Sequence, residues 1–150
     1  MRQDKAEKYL SLAIYQANLF SKDPSTKVGA ILLAPNSLQM LSMGYNGFPR
    51  GIDETDPKRW ERPTKYMFAE HAERNAIYNA ARRGTPLEGA ICVVSLFPCA
   101  DCARALIQSG ISRIVTAEPD MSHDRWGSHF EVSLKLFEEA GVALQLISEK

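Results

Sequence analysis

The spacing of apolar positions divides the chain into helices and strands. Over residues 3–20, apolar side chains recur every three or four positions with charged and amide side chains between them, which predicts an amphipathic helix. The apolar face predicted for this helix consists of Tyr9, Leu10, Ala13, Ile14 and Ala17. Further helices are predicted over residues 70–83, 99–109 and 128–140, because each segment has helical spacing and is followed by a glycine.

Between the helices lie short apolar runs that are typical of strands. They cover residues 28–33, 38–45, 90–96, 113–117 and 142–147. The first two are joined by a short turn, which predicts antiparallel pairing, whereas each of the later strands follows a helix and is expected to be parallel. The order predicts an α/β fold, a three-layer α-β-α sandwich around a mixed five-stranded sheet.

The segment 52–69 interrupts this alternation. It is polar, contains Pro57 and Pro63, and has no clear period, so we expect a surface insertion with a short helix near residues 57–60. A chain of 150 residues fits a single domain, 1–150, with this insertion inside it.

Composition limits the classes of partner. The chain is 45% hydrophobic and 24% charged with a formal net charge of zero, so no global charge favours nucleic acid. The charged N-terminal residues lack an apolar signal core, and no apolar run is long enough to span a membrane. Three cysteines indicate a metal site in a reducing compartment rather than a disulfide framework. We therefore expect a cytoplasmic protein.

One compact set of residues has the composition of a metal centre. Cys99 and Cys102 would place both sulfurs on one face at the start of a helix, and His71 lies where another helix begins. Three protein ligands leave the fourth position of a tetrahedral zinc open, which is typical of a catalytic site. The pattern H-x-E followed by P-C-x-x-C is characteristic of zinc nucleobase deaminases.

Glu73 has the position of a proton carrier. It lies two residues from His71, so on a helix it points away from the ligand direction and can instead hydrogen-bond water in the open position. Zinc lowers the pKa of such a water to roughly 7, and hydroxide could attack a ring carbon such as C4 of cytosine. Glu73 would pass the water proton to N3 and assist ammonia departure. The free N–H groups of Ala72 and Cys99 could hold ring or hydroxide oxygens.

A structural zinc with Cys92 as fourth ligand is the alternative. Cys92 lies inside an apolar strand run, where a free cysteine is usually a small buried hydrophobe. Glu73 and Pro98 would have no role in such a site, which favours the catalytic interpretation. We expect His123 in a loop, contacting an anion or solvent, and His129 on a helix surface.

Four stretches, SKDPSTKVGA (21–30), GYNGFPRG (44–51), EHAERNAI (70–77) and SLFPCADC (95–102), resemble the cytidine and deoxycytidylate deaminases, most closely those acting on dCMP. The resemblance implies a cytidine-deaminase-like fold and the conversion of dCMP and water into dUMP and ammonia, supplying thymidylate synthesis. It implies zinc on His71, Cys99 and Cys102, with Glu73 as proton shuttle.

The resemblance also implies substrate and effector contacts. It places Asn46 against the sugar or base, although an asparagine in such a loop is also a common turn residue. Family members are often oligomers, frequently hexamers, and many respond to dCTP and dTTP at a separate site, where Arg50 is the candidate cation. The residues expected near the substrate phosphate are Lys22, Lys27, His123 and Arg125.

The chain departs from related sequences after the fourth strand. Residues 121–126, MSHDRW, lack the aromatic residue that often precedes the histidine, so Trp126 or Phe97 is the candidate for stacking on the base. The segment 52–69 contains no Cys or His, which predicts one zinc per chain. The sequence therefore does not determine which base is recognised.

Other functions fit the same motifs. The substrate could be dCTP or a 5-substituted dCMP, a tRNA or other polynucleotide, or a free cytidine, guanine or riboflavin precursor. A non-catalytic, zinc-stabilised nucleotide-binding module belongs to a different class. Loss of deamination with zinc retained in a Glu73 variant would separate an enzyme from such a module.

Overall fold

The computed structural model describes residues 1–148. Its helices and strands are α1 (Gln3–Phe20), β1 (Gly29–Leu33), β2 (Met40–Tyr45), α2 (Lys65–Phe68), α3 (Ala72–Arg83), β3 (Ile91–Val94), α4 (Ala100–Gln108), β4 (Arg113–Ala117), α5 (Gly127–Ala140) and β5 (Ala143–Ile147). A short 3-10 helix covers Pro57–Trp60. No helix in the described range is long and apolar enough to span a membrane.

The five strands form one mixed sheet in the order β2-β1-β3-β4-β5. β1 is antiparallel to both of its neighbours, while β3, β4 and β5 are mutually parallel. All five residues of β1 are buried, as its unbroken apolar run predicts. The predicted α/β fold with a mixed five-stranded sheet is confirmed.

Side chains alternate between the two faces of the sheet and build two separate cores. On one face, Ile31 and Val93 pack with residues of α1. On the other face, Leu32 and Val94 pack with residues of α3, α4 and α5. The sheet therefore lies between one helix and three, which is the three-layer arrangement.

The apolar face predicted for α1 is partly wrong. Leu10, Ala13 and Ala17 are buried, but Ile14 is 43% exposed. Gln16 is buried instead, and its side-chain amide donates to the carbonyl of Gly44 in β2. A polar side chain that the spacing placed outside the apolar face is thus buried, because it has a specific backbone partner.

α3 lies in direct contact with β2. A Cβ added at Gly44 would be 2.4 Å from both the Ala72 carbonyl oxygen and the Ala76 nitrogen, so only glycine fits there. Ala72, Ala76 and Ala80 are buried along the helix, as their small side chains predict. This close approach fixes the beginning of α3, which carries part of the candidate site.

The segment 52–69 is mostly exposed and contains the short helix expected at residues 57–60. α2, which follows this short helix within the same segment, was not predicted, because a single turn has no period to detect. Lys65 at its start is 5% exposed, in contrast to its neighbours. The segment therefore sends one charged side chain into the protein.

Candidate metal and active site

Two helix beginnings bring the predicted zinc ligands together. His71 and Cys99 are the extended N-cap residues of α3 and α4, and Cys102 lies in the first turn of α4. His71 Nδ1 is 3.5 Å from Cys99 Sγ and 3.4 Å from Cys102 Sγ. A tetrahedral zinc with ordinary Zn–N and Zn–S lengths separates its ligand atoms by roughly 3.6 Å, so the three residues fit this metal. Within residues 1–148 they are the only such group of potential ligands.

The surroundings favour negative charge on one of the two sulfurs. Hydrogen bonds from Cys102 and His71 lower the pKa of the Cys99 thiol to about 4. The pKa of Cys102 is raised, because it donates to Cys99 and is buried. The hydrogen bond to Cys99 in turn raises the pKa of His71. A site that already holds one thiolate is prepared to bind a divalent cation.

Arg74 carries positive charge close to this centre. Its guanidinium pairs with Glu70 at 2.6 Å and lies 4.0 Å from Asp101. Burial alone would lower the pKa of Arg74, but the charges of Cys102 and Glu70 raise it. The guanidinium therefore partly balances the negative charge that two thiolates bring.

Glu73 is buried next to the three ligands. It lies in the first turn of α3, is 4% exposed, and is not among the grouped ligand atoms. Burial raises the pKa of its carboxyl group. A carboxyl with a raised pKa is better suited to proton transfer than one with an ordinary pKa.

A cleft that is open to solvent lies over these residues, so a ligand can reach them from outside. Among the sequence-predicted residues, Asn46, Ala72, Phe97 and Arg125 line it together with His71, Glu73, Cys99 and Trp126. Its other lining residues include Asp23, Thr26, Arg62, Lys65 and Tyr66.

The remaining predicted residues do not line the cleft. The Lys22 ammonium group pairs with Glu54, and Lys27 is exposed. His123 Nδ1 accepts the backbone N–H groups of residues 125 and 126 at 3.1 Å, so the histidine shapes its own loop. Arg50 donates to Asn79 Oδ1 at 2.7 Å on the outside of the protein. The structure thus brings only Arg125 of the four predicted phosphate residues to the cleft.

The two candidate stacking residues differ in their surroundings. Phe97 is 2% exposed and packs edge-on against Phe130, within the core. Trp126 is partly exposed, and its ring lies edge-on to His71 with centroids 6.0 Å apart. Of these two candidates, Trp126 is therefore the one with surface available to a ligand in the cleft.

Several residues of the site were missed in the sequence. Arg62, Lys65 and Tyr66 come from the segment 52–69, where no periodicity marks them. His129, expected on a helix surface, is partly buried and its Nδ1 accepts the N–H of Ala100 at 3.3 Å. In the sequence, only the spacing of His129 from Phe130 and Phe137 could have suggested that its side chain points into the protein.

Cys92 is not part of the group of metal-ligating atoms formed by His71, Cys99 and Cys102. It is completely buried in β3, where desolvation raises the pKa of its thiol well above the ordinary value. Its position agrees with the interpretation of Cys92 as a small core side chain.

Comparison with known proteins gives the same assignment as the geometry. The sequence profile of the cytidine and deoxycytidylate deaminase zinc-binding region matches residues 3–118. A deaminase of Aliivibrio fischeri, described as an uncharacterized deaminase in the luxG 3′ region, is 42% identical over 126 residues, covering 82% of this chain and 80% of its own. The human deoxycytidylate deaminase is 34% identical over 145 residues, covering 93% of this chain and 77% of its own.

Solved structures share the fold. The crystal structure of dCMP deaminase from the cyanophage S-TIM5 in complex with dCMP and dUMP superposes with a TM-score of 0.77 at 23% identity, covering 98% of this chain and 99% of the cyanophage chain. With the profile match over most of the chain and the fit of the three ligands to zinc, the chain belongs to the zinc-dependent cytidine and deoxycytidylate deaminase family.

Proposed function

We propose that this deaminase hydrolyses dCMP to dUMP and ammonia and so supplies dUMP for thymidylate synthesis. The observation that carries the proposal is the buried carboxyl of Glu73, held beside the zinc triad in a cleft that is open to solvent. Relatives at 34% identity that cover most of this chain are deoxycytidylate deaminases, which supports this substrate.

The chemistry follows from the positions of the side chains. Bound zinc would supply Lewis-acid activation of a water molecule, lowering its pKa to about 7. Glu73 would accept a proton from this water and deliver it to ring N3. It would then take the proton of the new C4 hydroxyl and pass it to the amino group as the C4–N bond breaks. One water is consumed, C4 gains an oxygen, and ammonia leaves. The backbone N–H of Ala72, which has no helical acceptor, can orient a polar group of the ring.

Recognition of the nucleotide would come from the walls of the cleft. We assign Asn46 to the sugar and the partly exposed ring of Trp126 to the base. For the 5′-phosphate we assign the two exposed guanidinium groups at the cleft, Arg125 and Arg62, since arginine binds phosphate with paired N–H donors. These assignments replace Lys22, Lys27 and His123 as phosphate contacts.

Regulation and assembly are part of the proposal. By resemblance to the family we propose activation by dCTP, inhibition by dTTP, and assembly into a homo-oligomer, with a hexamer favoured. Arg50 remains the candidate effector contact, since it lies outside the cleft in the loop after β2. A cytoplasmic location, where free nucleotides are found, belongs to the same proposal.

The test is ammonia release from dCMP, dCTP, 5-methyl-dCMP, cytidine and guanine by the zinc-loaded protein. We expect dCMP to have the highest kcat/KM. Glu73→Gln is expected to keep its zinc and lose at least about 10³-fold in kcat, because the amide cannot carry the proton. No turnover of dCMP would overturn the proposal. Unchanged turnover in Glu73→Gln would overturn the role of the carboxyl.

A further inference from the structure

A buried ion pair lies in the wall of the cleft. Lys65 Nζ is 3.0 Å from Asp23 Oδ2, and the two side chains are only 6% and 2% exposed. Both residues line the cleft. Removing two charges from water costs about as much as their attraction returns, so such a pair contributes little net stability. Its presence beside the site therefore calls for a role other than stability.

Asp23 organises the turn that follows it. Its Oδ1 accepts the backbone N–H of Ser25 at 2.9 Å and of Thr26 at 3.1 Å. Burial alone would raise the pKa of this carboxyl, but these N–H groups and the Lys65 ammonium hold it below its ordinary value. Lys65 also donates to Ser25 Oγ at 3.0 Å. The carboxylate and the ammonium together fix residues 23–26.

The turn formed by residues 23–26 orients the side-chain amide of Asn46. Asn46 Nδ2 donates to the Thr26 carbonyl oxygen at 2.8 Å and to Asp23 Oδ2 at 3.4 Å. Its Oδ1 accepts from Ser21 Oγ at 2.7 Å and from the Val28 N–H at 2.9 Å. All four hydrogen-bonding positions of the amide are engaged. The 3.4 Å contact is the longest, so it is the one that a ligand hydroxyl can replace most readily.

We propose that Asp23 and Lys65 present the Asn46 amide to the sugar hydroxyl of the substrate. Lys65 is a positioning residue, and Asp23 both positions Asn46 and binds the hydroxyl. A deoxynucleoside 5′-phosphate has one free hydroxyl, at C3′. This hydroxyl accepts from Asn46 Nδ2 and donates to Asp23 Oδ2, whose negative charge Lys65 balances. The ion pair thereby makes the enzyme selective for nucleotides with a 3′-hydroxyl. The inference rests on the proposed function for its substrate.

The test compares two double variants. Asp23→Asn/Lys65→Met removes both charges together, so no unpaired charge stays buried. The amide introduced at position 23 is expected to keep its oxygen as acceptor of the two backbone N–H groups of the turn. Its NH₂ group then faces the NH₂ group of Asn46, and two donors cannot hydrogen-bond each other. Asp53→Asn/Lys58→Met is the matched control, since Asp53 accepts the N–H and Oγ1 of Thr55 in a similar but exposed turn.

Two measurements are made on each variant. One is a crystal structure, and the other is kcat/KM for dCMP and for 2′,3′-dideoxycytidine monophosphate. We expect wild type and control to prefer dCMP about tenfold, the value of one hydrogen bond. In Asp23→Asn/Lys65→Met the preference is expected to fall to within about twofold of unity, with Asn46 turned away from Thr26. If the double variant does not fold, Asp23→Asn alone is measured in the same way.

Two results would overturn the inference. One is an unmoved Asn46 amide in the variant. The other is a preference for dCMP that stays at the wild-type value while both kcat/KM values fall in proportion, as a purely structural role would give. A wild-type protein inactive on dCMP contradicts the proposed function instead, and the position of Asn46 in the variant crystal then decides the positioning role.

Discussion

The three cysteines show how surroundings decide what one type of side chain does. Cys99 lies at a helix beginning next to His71, and its pKa is lowered to about 4. Cys92 lies between apolar neighbours in β3, and burial raises the pKa of its thiol. Spacing in the sequence already separated the C-x-x-C pair from the cysteine in the strand. The structure adds the physical reason, since the sulfurs of Cys99 and Cys102 both lie within 3.5 Å of His71 Nδ1.

Zinc content tests this distinction directly. The purified protein is expected to hold one zinc per chain, measured by inductively coupled plasma mass spectrometry. Cys102→Ser is expected to lose most of it, because a neutral hydroxyl would replace the thiolate of one of the three zinc ligands. Cys92→Ala, the matched control, is expected to keep the metal. Two zinc ions per chain, or loss of zinc in Cys92→Ala, would contradict the assignment.

Residues with local signals were predictable, and residues with distant partners were not. His71, Cys99 and Cys102 follow from motif spacing within single helix turns. Lys65 meets Asp23, 42 residues away, and Gln16 meets Gly44, 28 residues away. Neither the burial of Lys65 nor that of Gln16 can be deduced from hydrophobic spacing, because only the folded chain brings these partners together.

At the level of elements, the contact between α3 and β2 holds the metal-binding end of α3 in place. Gly44 leaves just enough room for the helix backbone. Asn75 and Asn79 add side-chain hydrogen bonds to carbonyl groups of Tyr45 and Met43, each at 2.8 Å. The beginning of α3 is therefore set by strand packing as well as by its cap.

Gly44→Ala is expected to destabilise the fold by about 3 kcal/mol, because the added methyl group would meet backbone atoms that cannot move separately. Gly47→Ala is the control, since a Cβ there has no neighbour within 4 Å. Urea unfolding followed by circular dichroism measures both. Equal stabilities for the two variants would show that α3 can move away from the sheet.

Element prediction worked where a segment was long enough to have a period. The five strands and four long helices were found within about two residues of their observed ends. α3 begins at Ala72 rather than at residue 70, because Glu70 pairs with Gly47 in an isolated β-bridge. α2 was missed, since its four residues make a single turn. Boundaries and single turns depend on tertiary contacts that spacing does not encode.

For the molecule as a whole, alternation of strands and helices was sufficient to predict the layers. The exposed aromatic side chains give information about assembly that the hydrophobic spacing of the sequence does not contain. Tyr15, Phe20 and Tyr45 are exposed, and the rings of Phe20 and Tyr45 stack with centroids 5.6 Å apart. Neighbouring exposed aromatic side chains are common at subunit contacts. This surface agrees with the proposed homo-oligomer.

Allosteric control would be visible in the kinetics of the assembled protein. We expect sigmoidal dependence of rate on dCMP that becomes hyperbolic with dCTP, with half-saturation shifted by about 5- to 150-fold, the usual range of coupling. dTTP is expected to shift it in the opposite direction. Initial rates, together with the mass from light scattering, measure this. A hyperbolic curve unaffected by either nucleotide would contradict the proposed regulation.

The edge-on contact of Trp126 with His71 also gives the protein an optical reporter. The chain has two tryptophans, and Trp60 is stacked on Phe48 with ring centroids 4.0 Å apart. Replacing Trp60 by Phe would leave a single indole, 6.0 Å from a metal-binding imidazole and in the wall of the cleft. Its fluorescence would then follow zinc loading and nucleotide occupancy in real time, without a label.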